Sequence, residues 1–273
     1  MLNLDVYHGV EANVNSYLFT DNNSAVLVDC LRNSEEAAKL AEFVKSTGKH
    51  LTRILVTHGH ADHYIGLNVL TKAFPSAEVV VSRQEIKDDI IAFSKFMEGV
   101  GWLDAEPAMK VKSESAPDGF DYENTINVLP SAELKLSDGA VLDVQSEYNG
   151  AECEHLTTIF SKDLNAFFTG DFCYNGVHMW VAIEDAHIEN WKTQLEKFQA
   201  KYSAGDLKIY PGHGPQTDVS LFGKVHKYLE DFQATVAAAS SREEAMDKMK
   251  ALYPDHKEAD FLLLNSVNAK IAA

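Results

Sequence analysis

No stretch of the chain concentrates lysine and arginine. The 24 basic residues are outnumbered by 41 acidic ones, and the formal net charge is −17. A protein that tracks a phosphate backbone needs a basic stripe to displace counterions. A nucleic-acid enzyme is therefore not expected, and a strongly anionic polymer would make a poor substrate. Cysteine is scarce as well. Cys30, Cys153 and Cys173 are odd in number, and no two have Cys-x-x-Cys spacing. This argues against a disulfide framework and for a reducing compartment, with one bridge plus a free thiol as the alternative. No apolar run approaches the length of a membrane span, so no membrane partner is expected. The start, Met1-Leu2-Asn3-Leu4-Asp5, lacks a basic n-region and an apolar h-region. A cytoplasmic location is expected. A periplasmic or secreted one applies if a signal peptide has been exchanged for Met1. A Gly-x-Ser-x-Gly run is missing too, so nothing points to a serine nucleophile.

What the chain does have is core. Hydrophobic residues make up 45% of its 273 positions, enough for a large α/β domain. Runs at 16–19 and 25–29 read as strands around the turn-prone Asp21-Asn22-Asn23-Ser24. Residues 35–47 carry Ala37, Leu40, Ala41 and Val44 at helical spacing and stop at Gly48. A strand at 53–57, a helix at 65–74 and a strand at 78–82 continue the alternation expected of an α/β layered fold. Residues 84–109 read as mostly helical and 110–125 as loop. Strands are expected again at 133–136, 141–144, 156–160 and 165–169. A helix at 191–202 and a strand at 207–210 follow, and then helices at 221–240, 242–252 and 258–271. The expected organisation is a single domain over 1–273. It carries a mainly helical insertion at about 84–125 and C-terminal helices at about 217–273.

The densest chemistry lies in His58-Gly59-His60-Ala61-Asp62-His63. Three imidazoles and a carboxylate fall within six residues, directly after a buried strand. That donor mixture suits a borderline cation such as zinc. Gly59 and Ala61 permit a tight loop, in which positions two apart can share one direction while the next turn faces a second point. One loop can thus serve two metals.

Thr57-His58-Gly59-His60-Ala61-Asp62-His63 resembles the signature of the metallo-β-lactamase superfamily. Val26-Leu27-Val28-Asp29, Phe168-Thr169-Gly170-Asp171 and Tyr210-Pro211-Gly212-His213-Gly214 resemble further elements of that family, in its order. The resemblance implies an α/β fold, a four-layer αββα sandwich with a binuclear metal site at one edge of the sheets. It implies that His58 and His60 bind a first zinc, that Asp62, His63 and His213 bind a second, and that Asp171 bridges them. The second site is complete. The first lacks the family's third histidine, because the corresponding stretch is Gly150-Ala151-Glu152-Cys153-Glu154-His155. Spacing back from Asp171 favours Glu152. His155 is the next candidate, and Glu154 and Cys153 are others.

The function implied is that of a soluble zinc-dependent hydrolase. A metal-bridging hydroxide would act on a small acyl substrate (ester, thioester, lactone or β-lactam), with Asp62 orienting it and passing a proton to the leaving group. The alternatives are an iron-binding redox protein on the same fold, or a metal-binding protein weakened in catalysis. His178 and Trp180, shortly after Asp171, are candidates for the wall of a small-molecule pocket. Nothing in the sequence specifies an oligomeric state.

Overall fold

The apolar runs around residues 17 and 26 are strands buried on both faces, and they lie side by side. In the computed structural model, which describes residues 1–202 and 205–271, six strands form one sheet in the order β1-β2-β3-β4-β5-β6. They are β1 (Asn3–His8), β2 (Asn15–Thr20), β3 (Ser24–Val28), β4 (His50–Leu55), β5 (Glu78–Val81) and β6 (Ile126–Val128). The first three pair antiparallel, as a tight β2–β3 hairpin dictates. The β3–β4, β4–β5 and β5–β6 pairs are parallel. Parallel neighbours need crossovers, which α1 (Ser34–Ser46), α2 (Ala61–Tyr64), α3 (Leu67–Ala73), α4 (Gln84–Gly99) and α5 (Tyr122–Thr125) occupy. The side chain of Asn33 caps α1 by accepting from the Glu36 amide at 2.8 Å. Gly48 ends that helix region in the left-handed conformation, φ 66°.

The chain divides into two compact units. The first comprises Met1–Ser146 and His155–Leu164. Besides the six-stranded sheet it holds β7 (Glu133–Lys135), β8 (Val141–Gln145) and β9 (Thr158–Ser161), paired antiparallel in sequence. Its core is aliphatic, built from Leu18, Leu27, Leu40, Val44, Ile54, Leu70, Ile86 and Ile90. The second unit comprises Glu147–Glu154 and the chain from Asn165 onward. It holds the parallel strands β10 (Ala166–Tyr174) and β11 (Lys208–His213), with α6 (Asp185–Lys201), α7 (Ser220–Ala238), α8 (Arg242–Leu252) and α9 (Leu264–Lys270). Aromatic rings dominate here: Phe167, Phe172, Phe198 and Phe222 meet edge to face or tilted. The buried Trp191 indole N–H donates to the Phe172 carbonyl at 2.9 Å.

Several elements differ from the expectation. Strand β1 lies outside it, because its alternation is carried by polar Asn3 and Asp5 on an edge. The three-residue β6 is too short to announce itself. Helix within 84–125 is concentrated in α4, with single turns at Pro107–Met109 and Tyr122–Thr125. The expected helix at 258–271 begins as a π turn, Ala259–Leu263, before α9. Positions 272 and 273 of the expected domain lie outside the described residues. Among the described residues no helix is long and apolar enough to cross a membrane.

Candidate functional site

Strand β4 is central in its sheet, and the chain leaving its C-terminal end carries the histidine run. Asp29, just past the end of the neighbouring β3, organises that exit. Its carboxylate accepts from the Thr57 amide at 2.8 Å, from the Thr57 hydroxyl at 2.8 Å and from His63 Nδ1 at 2.8 Å. A carboxylate can only accept, so Nδ1 of His63 carries the hydrogen and Nε2 presents its lone pair. The Thr57 hydroxyl spends its proton on Asp29 and lies 3.0 Å from His58 Nδ1. His58 must then donate to it, and its Nε2 also presents a lone pair. Two histidine tautomers are thus set by one buried aspartate, the arrangement that orients metal ligands from behind.

The four donors of the run converge. The ring of His58 lies 5.0 Å from that of His60 and 4.1 Å from that of His63. Asp62 and His63 share the single turn of α2, with Oδ2 and Nε2 3.9 Å apart. Gly59 is required by packing, because a Cβ there would come within 2.9 Å of the Asp89 Cβ on α4.

In the second unit, β10 and β11 bring Asp171 and His213 together, His213 Nε2 lying 3.0 Å from Asp171 Oδ2. Gly212 makes this possible, since a Cβ at that position would stand 1.8 Å from Asp171 Oδ1. The Tyr174 hydroxyl donates to the same Oδ2 at 2.7 Å and lies 3.4 Å from Glu152 Oε1. Its ring stacks on His213 at 4.3 Å with an interplanar angle of 2°. Tyr174 escapes a sequence reading because positions three apart on a regular strand face opposite ways. Register shifts between Phe168 and Tyr174, with Gly170 at φ 50°, break that alternation.

The candidates for the third ligand part company. Glu152 is fully buried beside Asp171, with carboxylate oxygens within 4.8 Å of each other. His155 is part-exposed in the first unit, its Nδ1 donating to Asp89 Oδ2 at 2.8 Å. Glu154 is turned to His187 at 3.0 Å. Two buried carboxylates held side by side call for a positive charge between them. With imidazole nitrogens as the other donors, the residues fit a metal ion of the zinc type. His178 is buried, with Nδ1 2.9 Å from the Tyr228 hydroxyl of α7 and its ring 5.4 Å from that of His256. Burial, and after it the neighbouring His256, push its pKa down to about 4. Trp180 is half-buried.

A family model described as the metallo-beta-lactamase superfamily matches residues 9–213. The chain belongs to that superfamily. A Streptococcus pyogenes serotype M6 protein named "Probable metallo-hydrolase" is 24% identical over 216 residues, covering 76% of this chain and 82% of the relative. A hydroxyacylglutathione hydrolase of Francisella philomiragia is 38% identical over 199 residues, covering 72% of this chain and 61% of the relative. This superfamily member therefore spans less than two thirds of that relative's length. The solved metallo-beta-lactamase from Pontibacter korlensis superposes with a TM-score of 0.60 at 15% identity, over 84% of this chain and 95% of that one. The fold is the α/β metallo-β-lactamase fold that the histidine signature implied.

Proposed function

We propose that this metallohydrolase of the metallo-β-lactamase superfamily cleaves a small acyl substrate with zinc as its metal. The observation that carries the reading is the pair of buried networks that hold ligand atoms in a ligating state. Asp29 and Thr57 turn Nε2 of His58 and His63 into lone-pair donors. Tyr174 holds Asp171 beside Glu152. In this reading the two units are halves of one domain, in line with a family match that runs through both. The residues that would hold the metal are His58, His60, Asp62 and His63 in the first unit and Glu152, Asp171 and His213 in the second. When bound, zinc supplies Lewis acidity toward the acyl carbonyl and lowers the pKa of water at the site.

The remaining work falls to the side chains. Asp62 is 9% exposed, against 0% for Glu152 and 1% for Asp171. It is the donor carboxylate with an edge toward solvent, suited to orient water and to carry its proton to the leaving group. Glu152 in place of a neutral imidazole adds negative charge to its ion and weakens its pull on the carbonyl. Trp180 and His178 are assigned to the wall of the substrate pocket. Relatives named hydroxyacylglutathione hydrolase support an acyl substrate.

The test is elemental analysis of the purified protein combined with a panel of thioesters, esters, lactones and cephalosporins. Close to two zinc ions per chain and zinc-dependent turnover of one of these acyl classes are expected. Iron as the dominant metal, with no turnover on the panel, would overturn the reading.

A further inference from the structure

Helix α4 buries one apolar face, and large apolar side chains are exposed at and just beyond its C-terminal end. Ile86, Ile90, Ile91 and Met97 face the core, as an amphipathic helix requires. The opposite face should be polar, and its first half is, with Gln84 and Asp88 exposed. Toward the C-terminal end, past the exposed Lys95, it changes character. Phe96 is 51% exposed, Val100 50% and Trp102 58%. These side chains are not scattered. The ring of Phe93 lies 5.7 Å from that of His60, Phe96 stacks on Phe93 at 6.0 Å, and Trp102 meets Phe96 edge-on at 5.6 Å. An unbroken line of rings therefore leads from a residue of the histidine run out to solvent. The line is held from below. Phe93 packs on the aliphatic core, and the Trp102 amide donates to the Met97 carbonyl at 2.9 Å, which folds the chain after α4 back along the helix.

A contiguous exposed aromatic patch needs an occupant. A second copy of this chain is a poor one. Three half-exposed side chains fall well short of the roughly 800 Å² per partner that a stable association buries. Continuity with His60 singles out the substrate itself. We propose that Phe93, Phe96 and Trp102 form a track for the apolar tail of the substrate, and that the chain acts on acyl compounds with a medium-length hydrocarbon chain or an aryl group. The proposal rests on the hydrolytic reading of the His60 site. The tail lies along the rings while the acyl carbon stays at the histidine end. Burying one methylene is worth about a 4-fold change in binding when complete, so a track open on one side yields roughly 2-fold per methylene.

The test is direct binding of straight-chain carboxylates, hexanoate through decanoate, to the full-length protein. It is followed by tryptophan fluorescence below the micellar range and paired with turnover of the matching acyl esters. Trp102→Phe identifies the part of the signal that arises on the track. A blue shift of the Trp102 signal is expected, with affinity and kcat/KM both rising about 2-fold per methylene. Phe96→Asp, at an exposed position, should flatten both slopes. A flat series in the unaltered protein, or an equal slope in Phe96→Asp, overturns the track and leaves the hydrolytic reading standing. Chain-length-dependent binding without turnover of any acyl substrate keeps the track and overturns the hydrolytic reading. A dimer in sedimentation that Phe96→Asp dissolves would show the patch to be a self-contact, and would overturn the track.

Discussion

Replacing Asp29 by asparagine tests the tautomer argument with little collateral change. The volume is preserved. Asp29 sits at φ 61°, a left-handed conformation that asparagine tolerates better than most residues. The amide oxygen of the substituted side chain can still accept from the Thr57 backbone and hydroxyl. Its amide nitrogen, however, would face His63 Nδ1, which lies 2.8 Å from Asp29 Oδ2 in the unaltered protein. Two donors cannot share that contact. His63 must move its hydrogen to Nε2, which removes the lone pair a metal needs, or lose the hydrogen bond. Ligand-orienting changes of this kind cost about 10- to 100-fold in metal affinity, or roughly 1.4 to 2.8 kcal/mol. The metal-free fold should lose less, on the order of 1–2 kcal/mol for one weakened buried hydrogen bond. Zinc affinity is read by competition with a chromogenic chelator, stability by urea unfolding of the metal-free protein, and the tautomer by long-range proton–nitrogen NMR of the imidazoles. If Asp29→Asn keeps zinc within about 2-fold of the unaltered protein, far inside the expected loss, and His63 still carries its hydrogen on Nδ1, the reasoning is refuted.

Further outcomes follow from the same geometry. Asp62→Asn should retain the fold by circular dichroism and lose at least about 10²-fold in turnover; near-unaltered rates would remove Asp62 from the chemistry. Glu152→Ala should weaken zinc binding about 10-fold more than His155→Ala does. Side-by-side chelator titrations decide this, and the reverse order would reinstate the histidine as ligand. Tyr174→Phe deletes the hydroxyl that donates to Asp171, and urea unfolding of the metal-free protein should register a loss of about 1–2 kcal/mol. His178 contributes a pH dependence. Its pKa is held at about 4 in the folded chain against an ordinary value of 6.5, so between these values the unfolded chain binds the extra proton and stability rises with pH. Unfolding free energy should fall by up to about 3 kcal/mol as pH drops from 6.5 to about 4. His178→Leu should lessen that slope in a melting series, and an unchanged slope would assign it to other groups.

The run from His58 to His63 was legible because its donors are neighbours in the chain. Six residues after a strand have so few backbone options that almost any tight turn clusters them. Asp171 and His213 were legible through family order alone. Each is a single aspartate or histidine after a strand, and nothing local distinguishes it from a turn residue. Spacing back from Asp171 favoured Glu152 over His155, but the surroundings of the two side chains lay beyond the sequence. Asp89, far away on α4, engages the histidine, and the Tyr174 hydroxyl stands by the glutamate.

Sequence by itself determined the superfamily, the α/β alternation and the donor types, because composition and short-range spacing limit what a strand, a helix turn or a six-residue loop can do. Tertiary structure decided the rest. It decided which nitrogen of His58 and His63 is presented, through an aspartate 34 residues before His63. It decided that Tyr174 reaches Asp171, through register shifts that cancel the strand's alternation. It also decided that the rings of α4 and Trp102 line up outward from His60. The helical stretch was legible, but which of its side chains meet the core depends on contacts with elements distant in sequence, and no local pattern encodes those.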